Sequence, residues 1–421
     1  MNRYAIGWTL AVLTLSARCR ADDWPFFRGP DRDGKSAENK LPLEWGREKN
    51  IVWRAKLPGP GNSSPVVSNG KVFVTCAEDK KGVGRSLYCF DRASGKQLWV
   101  KTVTWDQADI SHATNPYCAS SPATDGQRVV AWHGSAGLYC YDLTGKELWK
   151  HDLGIIRHIW GYASSPIIHG DRVYLNCGPG TRSFVVALDK ITGQLLWQTD
   201  EPGGAPDKDA DHPQWLGSWS TGLVTKVDGQ EQLLVFQPLH VNAYDLQSGK
   251  ILWTCGGAGL LAYTDVVVGD VEGVGKIGIA MAGFSGKAIG FKLGGSGDMT
   301  ATHRLWQSTA APPQRIGSGI ILGKHLFLVN EPGVECIEAA TGKSVWKQNI
   351  AGQNFWASLV FGGGRLYATS QQGKTFVFAP DPAGFKLQAT NDLQEHINAT
   401  PAISDGQLFI RAWEALYCIG E

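Results

Sequence analysis

Short stretches of alternating apolar and polar residues, separated by glycine turns, follow one another along nearly the whole chain. In LYCYDLTGKELW (138–149), apolar positions lead to an Asp, a Thr-Gly turn follows, and a second apolar stretch ends on Trp. A period of two predicts strands, and this turn joins them as a β-hairpin in which the Asp bonds the turn backbone. Copies of this hairpin occupy 87–99, 185–197, 241–253 and 334–346.

A different hairpin recurs upstream of these copies. In SSPVVSNGKVFV (63–74), a strand of small residues reaches an Asn-Gly turn and continues as a β-branched strand. The two hairpins together make four antiparallel strands, which is one blade of a β-propeller. The upstream hairpin also appears at 120–132 and 164–175, and more weakly at 400–410.

The starts of the innermost strands give the number of blades. The last blade has no strand after its third, whereas residues 50–57 form a lone fourth-strand pattern ahead of the first blade. Pairing of these two ends closes the ring and leaves no open strand edge. We therefore predict an all-β fold, an eight-bladed propeller of four-stranded antiparallel blades over 50–421, preceded by an irregular segment (22–49) on its surface. The inner strands start at Ser64, Ser121, Ser165, Thr221, Asp265, Ser318, Ser358 and Thr400.

The first residues are typical of a secretory signal. Residues 1–21 contain Arg3, then an apolar stretch that is too short to span a bilayer, and small residues near Ala21. Arg18 before Cys19 is a poor fit to the small residue that a lipidation signal requires. We expect an exported protein, periplasmic or extracellular, without a transmembrane segment in the mature chain.

The net charge and the positions of the cysteines indicate which partners and sites are not expected. The formal net charge of +1 gives no field that would attract nucleic acid. Cys89, Cys140, Cys336 and Cys418 hold one position in four repeats, which predicts small buried side chains in a core layer. The pairing of the other cysteines stays open, and no CxxC motif indicates a zinc or redox site.

The repeated Asp-x-x-Thr/Ser-Gly-Lys-x-x-Trp unit closely resembles the PQQ-like repeat, and WPFFRGPDRDGKS (24–36) looks like the opening of many exported bacterial proteins built from it. The resemblance implies an eight-bladed propeller. It covers two classes of function: the scaffold lipoprotein of the outer-membrane β-barrel assembly machinery, which binds no cofactor, and the quinoprotein alcohol dehydrogenases. Fold alone does not choose between them.

The features of the dehydrogenases have few counterparts here. No two cysteines are neighbours, the CxxCH haem signature is missing, and no motif places a calcium-binding Glu or Asn. Asp265 is the one acidic residue at the start of an inner strand and is the weak candidate for a catalytic base. No cofactor is therefore predicted, and PQQ with calcium remains the alternative. Asp207, Asp209 and Asp211 alternate like calcium ligands, but His212 and Ser218 stand where an EF-hand needs Gly and Glu, so no metal is predicted.

Histidine, asparagine and aromatic residues precede the inner strands. In a propeller these connections converge on one rim of the channel, where amphipathic rings suit ligand and peptide sites. We expect a non-catalytic binding or scaffolding protein that engages an envelope protein, a peptide or a glycan there, with a PQQ-dependent alcohol or sugar dehydrogenase as the alternative. The candidate rim residues are His112, Asn115, Tyr117, His158, Trp160, Trp215, Trp219, Tyr263, Arg315, Asn354, Trp356, His396 and Asn398.

Overall fold

The computed structural model describes residues 23–107, 109–201, 217–284, 286–308 and 314–421. Several sequence-based expectations concern residues outside these ranges. They are the signal peptide with Cys19, the rim residue Trp215, and the alternating Asp207, Asp209 and Asp211.

The described strands form eight four-stranded antiparallel blades around a central channel, which confirms the predicted propeller. Within a blade, consecutive strands pair in sequence order from the channel outward, as expected for two successive hairpins. Blade 1 comprises Val66–Ser68, Lys71–Ala77, Gly84–Asp91 and Gln97–Thr104; blade 2, Ala123–Thr124, Arg128–Trp132, Leu138–Asp142 and Glu147–His151; blade 3, Ile167–His169, Arg172–Cys177, Ser183–Asp189 and Leu195–Glu201; blade 4, Leu223–Val227, Gln230–Gln237, His240–Asp245 and Ile251–Gly256.

The second half of the ring repeats this order. Blade 5 comprises Val267–Val271, Gly275–Met281, Ala288–Lys292 and Arg304–Gln307; blade 6, Ile320–Leu322, His325–Asn330, Gly333–Glu338 and Ser344–Asn349; blade 7, Val360–Gly362, Arg365–Thr369, Lys374–Ala379 and Lys386–Asp392; blade 8, Ala402–Ser404, Gln407–Arg411, Ala415–Ile419 and Ile51–Lys56. Short elements outside the blades are the parallel pair Gly217–Ser218 and Leu261–Ala262, the strand Gly297–Asp298 beside the outer strand of blade 4, a 3₁₀ turn at Gly134–Ala136 and a helical turn at Thr300–His303.

The two ends of the chain close the ring, as predicted. Strand Ile51–Lys56 pairs antiparallel with Ala415–Ile419 and places Trp53 opposite Cys418. The same pairing of a small residue with the closing tryptophan occurs within other blades, for example Cys140 with Trp149. The N-terminal strand therefore occupies the equivalent position in blade 8.

The repeated cysteines and closing tryptophans have structural roles. Cys89, Cys140, Cys336 and Cys418 are buried thiols, which confirms the predicted core layer. The indole Nε1 of Trp149 donates to the Lys190 carbonyl of the next blade at 3.0 Å. Trp149 therefore joins blade 2 to blade 3.

The turn aspartates also behave as predicted. Asp142 Oδ1 accepts hydrogen bonds from the backbone nitrogens of Thr144 at 2.8 Å and Lys146 at 3.0 Å. Hydrogen bonds to the ionised form, first among them that from the Thr144 hydroxyl, lower the pKa of this carboxyl. The carboxylate thus fixes the turn.

The N-terminal segment does not lie only on the surface of the propeller, because some of its side chains are buried. Trp24, only 2 % exposed, pairs with Val67 of blade 1 through two backbone hydrogen bonds. Arg28, 1 % exposed, donates to the carbonyl of Gly319 in blade 6 at 2.7 Å, and Arg32 donates to Ile168 in blade 3. Because these blades lie on different sides of the ring, the segment crosses one end of the channel.

Among the described residues, no helix is long and apolar enough to cross a membrane.

Candidate functional site

A closed ring of hydrogen bonds surrounds the channel at the starts of the inner strands. In each blade the backbone N–H of one residue donates to a side-chain oxygen of its equivalent in the next blade; Ser64 N, for example, lies 2.9 Å from Ser121 Oγ. Seven of the acceptors are hydroxyls and the eighth is the carboxylate of Asp265. The ring runs through Ser64, Ser121, Ser165, Thr221, Asp265, Ser318, Ser358 and Thr400 before it returns to Ser64.

A cavity of about 300 Å³ lies at this ring. All eight ring residues line it, together with the loops that enter the inner strands and with Phe27 from the N-terminal segment. Since that segment crosses the channel, we place Phe27 at the floor and the loops at the mouth. The other described lining residues are Asn62, His112, Thr114, Asn115, Ala119, Trp160, Ala163, Trp219, Tyr263, Phe284, Gln314, Ile316, Trp356 and Asn398.

One wall of the cavity is aromatic. The ring centroids of Trp219 and Tyr263 lie 4.9 Å apart in an edge-to-face arrangement, and Trp160 lies 6.1 Å from Trp219. Phe284 stacks on Trp160 at 5.4 Å and is 59 % exposed. His158 packs behind them, 5.0 Å from Trp219. These mutual contacts hold the aromatic faces in place before any ligand binds.

Another part of the lining, the polar wall of Asn62, Asn115 and Asn398, consists of amides held by hydrogen bonds. Asn62 Nδ2 donates to Asn115 Oδ1 at 2.9 Å and to the Thr114 carbonyl at 3.0 Å. Asn115 Nδ2 in turn donates to the carbonyl of Trp160 at 2.7 Å, and Asn398 Nδ2 donates to Thr114. This network fixes the loops of three blades and connects the polar wall to the aromatic wall.

Asp265 is the ring residue with a charge. Its Oδ1 accepts the backbone N–H of Thr221 at 2.8 Å, and its own N–H donates to Ser318 Oγ at 2.9 Å. Burial raises the pKa of the Asp265 carboxyl to about 6, against the opposing effects of the Arg28 charge and the Thr221 N–H. The carboxyl is therefore mainly ionised at neutral pH.

The structure brings together about half of the sequence-predicted rim residues. His112, Asn115, Trp160, Trp219, Tyr263, Trp356 and Asn398 line the cavity with Asp265. Trp356 donates through Nε1 to Glu331 at 2.9 Å, and His112 bonds the Thr114 hydroxyl at 2.7 Å.

The remaining described candidates lie outside the lining. Arg315 forms an ion pair with Glu335 at 3.2 Å, and Tyr117 donates its hydroxyl to the Asp109 carbonyl. His396 packs on Trp413 with centroids 4.0 Å apart. His158 supports the aromatic wall from behind, and Asn354 is exposed.

Besides the ring residues, eight lining residues were not predicted from the sequence, and Phe284, Phe27 and Asn62 illustrate the reasons. Phe284 follows a glycine in the loop of the irregular fifth blade, so it has no counterpart in the repeat. Phe27 precedes the propeller altogether. Asn62 stands two residues before the ring residue Ser64, and comparison with the other inner-strand starts could have found it.

The cavity is a poor match for PQQ with calcium. PQQ carries three carboxylates, whereas the described part of the lining contains no Lys or Arg and does contain the carboxylate of Asp265. Calcium requires several oxygen ligands, and no group of three His, Cys, Asp or Glu side chains is placed for a metal within the described residues. The described residues of the cavity do not fit this cofactor.

Two named proteins are similar in sequence. Tetrathionate hydrolase of Acidithiobacillus ferrooxidans is 22 % identical over 359 residues, which cover 76 % of this chain and 65 % of that protein. Outer membrane protein assembly factor BamB of Kangiella koreensis is 25 % identical over 153 residues, or 35 % of each chain. The matches thus span less than two thirds of either relative.

Solved structures share the fold at low identity. BamB from Moraxella catarrhalis superposes with a TM-score of 0.61 at 15 % identity, covering 88 % of this chain and 97 % of that one. Quinohemoprotein alcohol dehydrogenase from Comamonas testosteroni superposes with a TM-score of 0.67 at 11 % identity, covering 97 % and 82 %. Such likenesses establish the propeller and leave the function open.

One family model matches the chain over most of its length. It bears the description outer membrane protein assembly factor BamB and matches residues 45–117, 83–348 and 330–419. These overlapping matches cover the strands of all eight blades, including the N-terminal strand that closes the ring. The chain therefore belongs to this family of PQQ-like repeat propellers.

Proposed function

We propose that this protein is a non-catalytic binding module that receives a side chain of a partner protein or peptide in the cavity at the channel mouth. The observation that carries the proposal is the aromatic wall of Trp160, Trp219 and Tyr263, extended outward by the exposed ring of Phe284. Large aromatic side chains dominate the binding energy of interfaces when a partner buries them.

The rigidity of the site supports binding. The wall aromatics pack on one another, and the amides of Asn62, Asn115 and Asn398 are held by hydrogen bonds within the protein. A partner therefore does not have to order these groups, which lowers the entropic cost of association.

The size of the cavity favours a protein or peptide over an extended glycan. About 300 Å³ is the lower limit of ordinary ligand pockets and suits one large side chain. The rest of the partner would then lie across the rim, where Phe284 and His112 are exposed.

The names of the similar proteins suggest two different kinds of function. Two of them are called outer membrane protein assembly factor or BamB, which supports a partner in the cell envelope and an exported location. A third is called tetrathionate hydrolase. Tetrathionate is an anion. The described part of the cavity lining has no Lys or Arg to bind an anion, and the ionised carboxylate of Asp265 would repel one, so this cavity disfavours such a substrate.

Selection from a random peptide library tests the proposal without a known partner. We expect the purified protein to enrich a consistent set of peptides, and Trp160→Ala to lose them. Trp149→Ala is the matched control, because that tryptophan joins blades away from the cavity. No enrichment by the wild-type protein, or enrichment that survives Trp160→Ala, would contradict the proposed function.

A further inference from the structure

Asp265 has one more side-chain oxygen than its position in the hydrogen-bonded ring requires. Each ring position needs one oxygen acceptor, and seven positions use a Ser or Thr hydroxyl for it. Asp265 fills this role with Oδ1 alone, through the Thr221 N–H. Its Oδ2 accepts no hydrogen bond from the described residues, and the side chain lines the cavity. A negative oxygen is thus left over for a ligand.

The charge of Asp265 is not cancelled by a direct ion pair. Arg28, in the N-terminal segment, directs its Nη2 to the carbonyls of Asp33 and Gly319, at 2.9 and 2.7 Å. Its Nε and Nη1 have no partner among the described residues, so neither bonds Asp265. Arg28 favours the ionised carboxylate at longer range, without a hydrogen bond to it.

The aromatic wall favours the same kind of ligand. The negative faces of aromatic rings attract cations within about 6 Å of the ring centre, and Trp is the strongest of them. Trp160, Trp219 and Tyr263 pack close to one another and line the same cavity as Asp265. The described lining residues include no Lys or Arg, and Arg28, whose charge acts on Asp265, does not line the cavity.

We propose that the cavity binds a cationic group, the ammonium or guanidinium of a Lys or Arg side chain on the partner, between the aromatic wall and Asp265 Oδ2. This inference rests on the proposed function, since it specifies which side chain the partner inserts. The aromatic faces hold the alkyl stem and the spread charge, and the carboxylate accepts the N–H donors of the cation. The partner segment is accordingly basic.

A pair of probes with the same shape isolates the charge. n-Butylammonium carries the ammonium of a Lys side chain with its N–H donors, and 1-butanol is a neutral alcohol with the same number of heavy atoms. By calorimetric titration, we expect the wild-type protein to bind n-butylammonium at least about tenfold more tightly than 1-butanol. Asp265→Asn and Asp265→Ser both keep an acceptor for Thr221 N, and Ser is the residue at equivalent ring positions. We expect both variants to lose most of the preference for n-butylammonium and to keep their melting temperatures.

The outcomes separate the two proposals. Equal affinity of the wild-type protein for both probes would overturn the cationic ligand while leaving an apolar binding site intact. Absence of binding by either probe, or n-butylammonium affinity that is unchanged in both Asp265 variants, would overturn it as well. The peptide selection then decides the proposed function independently: peptides without Lys or Arg would support the binding site and again contradict the cationic ligand.

Discussion

The backbone N–H of Thr400 donates to Ser64 Oγ at 2.9 Å, and this hydrogen bond joins the last blade to the first beside the channel. At the outer edge of blade 8, Ile51–Lys56 pairs with Ala415–Ile419. The propeller is therefore closed at its inner and its outer radius. Because the ring residues also line the cavity, the contacts that close the fold shape the candidate site.

Ser64→Ala tests the inner closure. The substitution removes the acceptor of the Thr400 N–H in a buried site, which typically costs about 1–3 kcal/mol of unfolding free energy. Ser64→Thr is the control, because Thr221 and Thr400 already serve as acceptors in the same ring. Urea unfolding measures both variants, and equal stability of Ser64→Ala and Ser64→Thr would contradict a structural role for the ring.

Trp24→Ala tests whether the N-terminal segment belongs to the folded propeller. Trp24 is almost fully buried between the segment and blade 1, and loss of a buried Trp typically costs about 3–5 kcal/mol. Lys40→Ala, an exposed position in the same segment, should change the unfolding free energy by less than about 0.5 kcal/mol. A melting temperature that is the same for both variants would show that the segment is dispensable.

Because the imidazole of His158 is buried, we expect the protein to lose stability in mild acid. Burial lowers its pKa to about 4, against about 6.5 in an unfolded chain. The unfolded chain therefore binds more protons between these values, so the contribution of His158 to stability falls as the pH decreases from about 6.5 towards 4. We expect His158→Phe to lose this part of the acid sensitivity in urea unfolding. Parallel pH profiles for variant and wild type would contradict this account.

Asp265 acts in the opposite direction over part of that range. Its pKa of about 6 is higher than the value near 3.9 in an unfolded chain. Protonation of Asp265 therefore favours the folded state as the pH decreases from about 6 to about 4. The contribution of His158 is therefore measured as the difference in unfolding free energy between wild type and His158→Phe at each pH.

Reconstitution with PQQ and calcium tests the dehydrogenase alternative. Because the described cavity lining has no Lys or Arg for the PQQ carboxylates, we expect no stoichiometric binding and no shift in melting temperature. Absorbance spectra after gel filtration and an assay with an artificial electron acceptor provide the measurement. Bound quinone that reduces the dye would establish the alternative.

The propeller could be predicted from the sequence because its determinants are local and repeated. Each hairpin contains its own turn signal, and small residues at positions such as Ser64 and Thr400 mark the inner strands that form the ring. Asp265 stood out as an acidic exception in this series. Its proximity to Arg28 could not be predicted, because the two residues are far apart in sequence and Arg28 lies outside every repeat.

The same reason explains the missed parts of the cavity. Phe27 reaches the cavity through contacts that the N-terminal segment makes with distant blades, and no periodicity predicts them. Conversely, Arg315 and His396 precede inner strands as expected, but their side chains do not line the cavity. Arg315 forms an ion pair with Glu335, and His396 packs on Trp413. Loop position alone does not fix the direction of a side chain.

Calorimetric titration of the most strongly enriched peptide tests the central claim that the aromatic wall is a binding site. We expect Trp160→Ala to weaken binding at least about 30-fold, which corresponds to about 2 kcal/mol, with little change in melting temperature. Trp149→Ala should show the reverse, with about 3–5 kcal/mol lost from the unfolding free energy and unchanged affinity below its melting temperature. Similar destabilisation by both substitutions, without a selective loss of affinity in Trp160→Ala, would mean that the wall aromatics serve only the core.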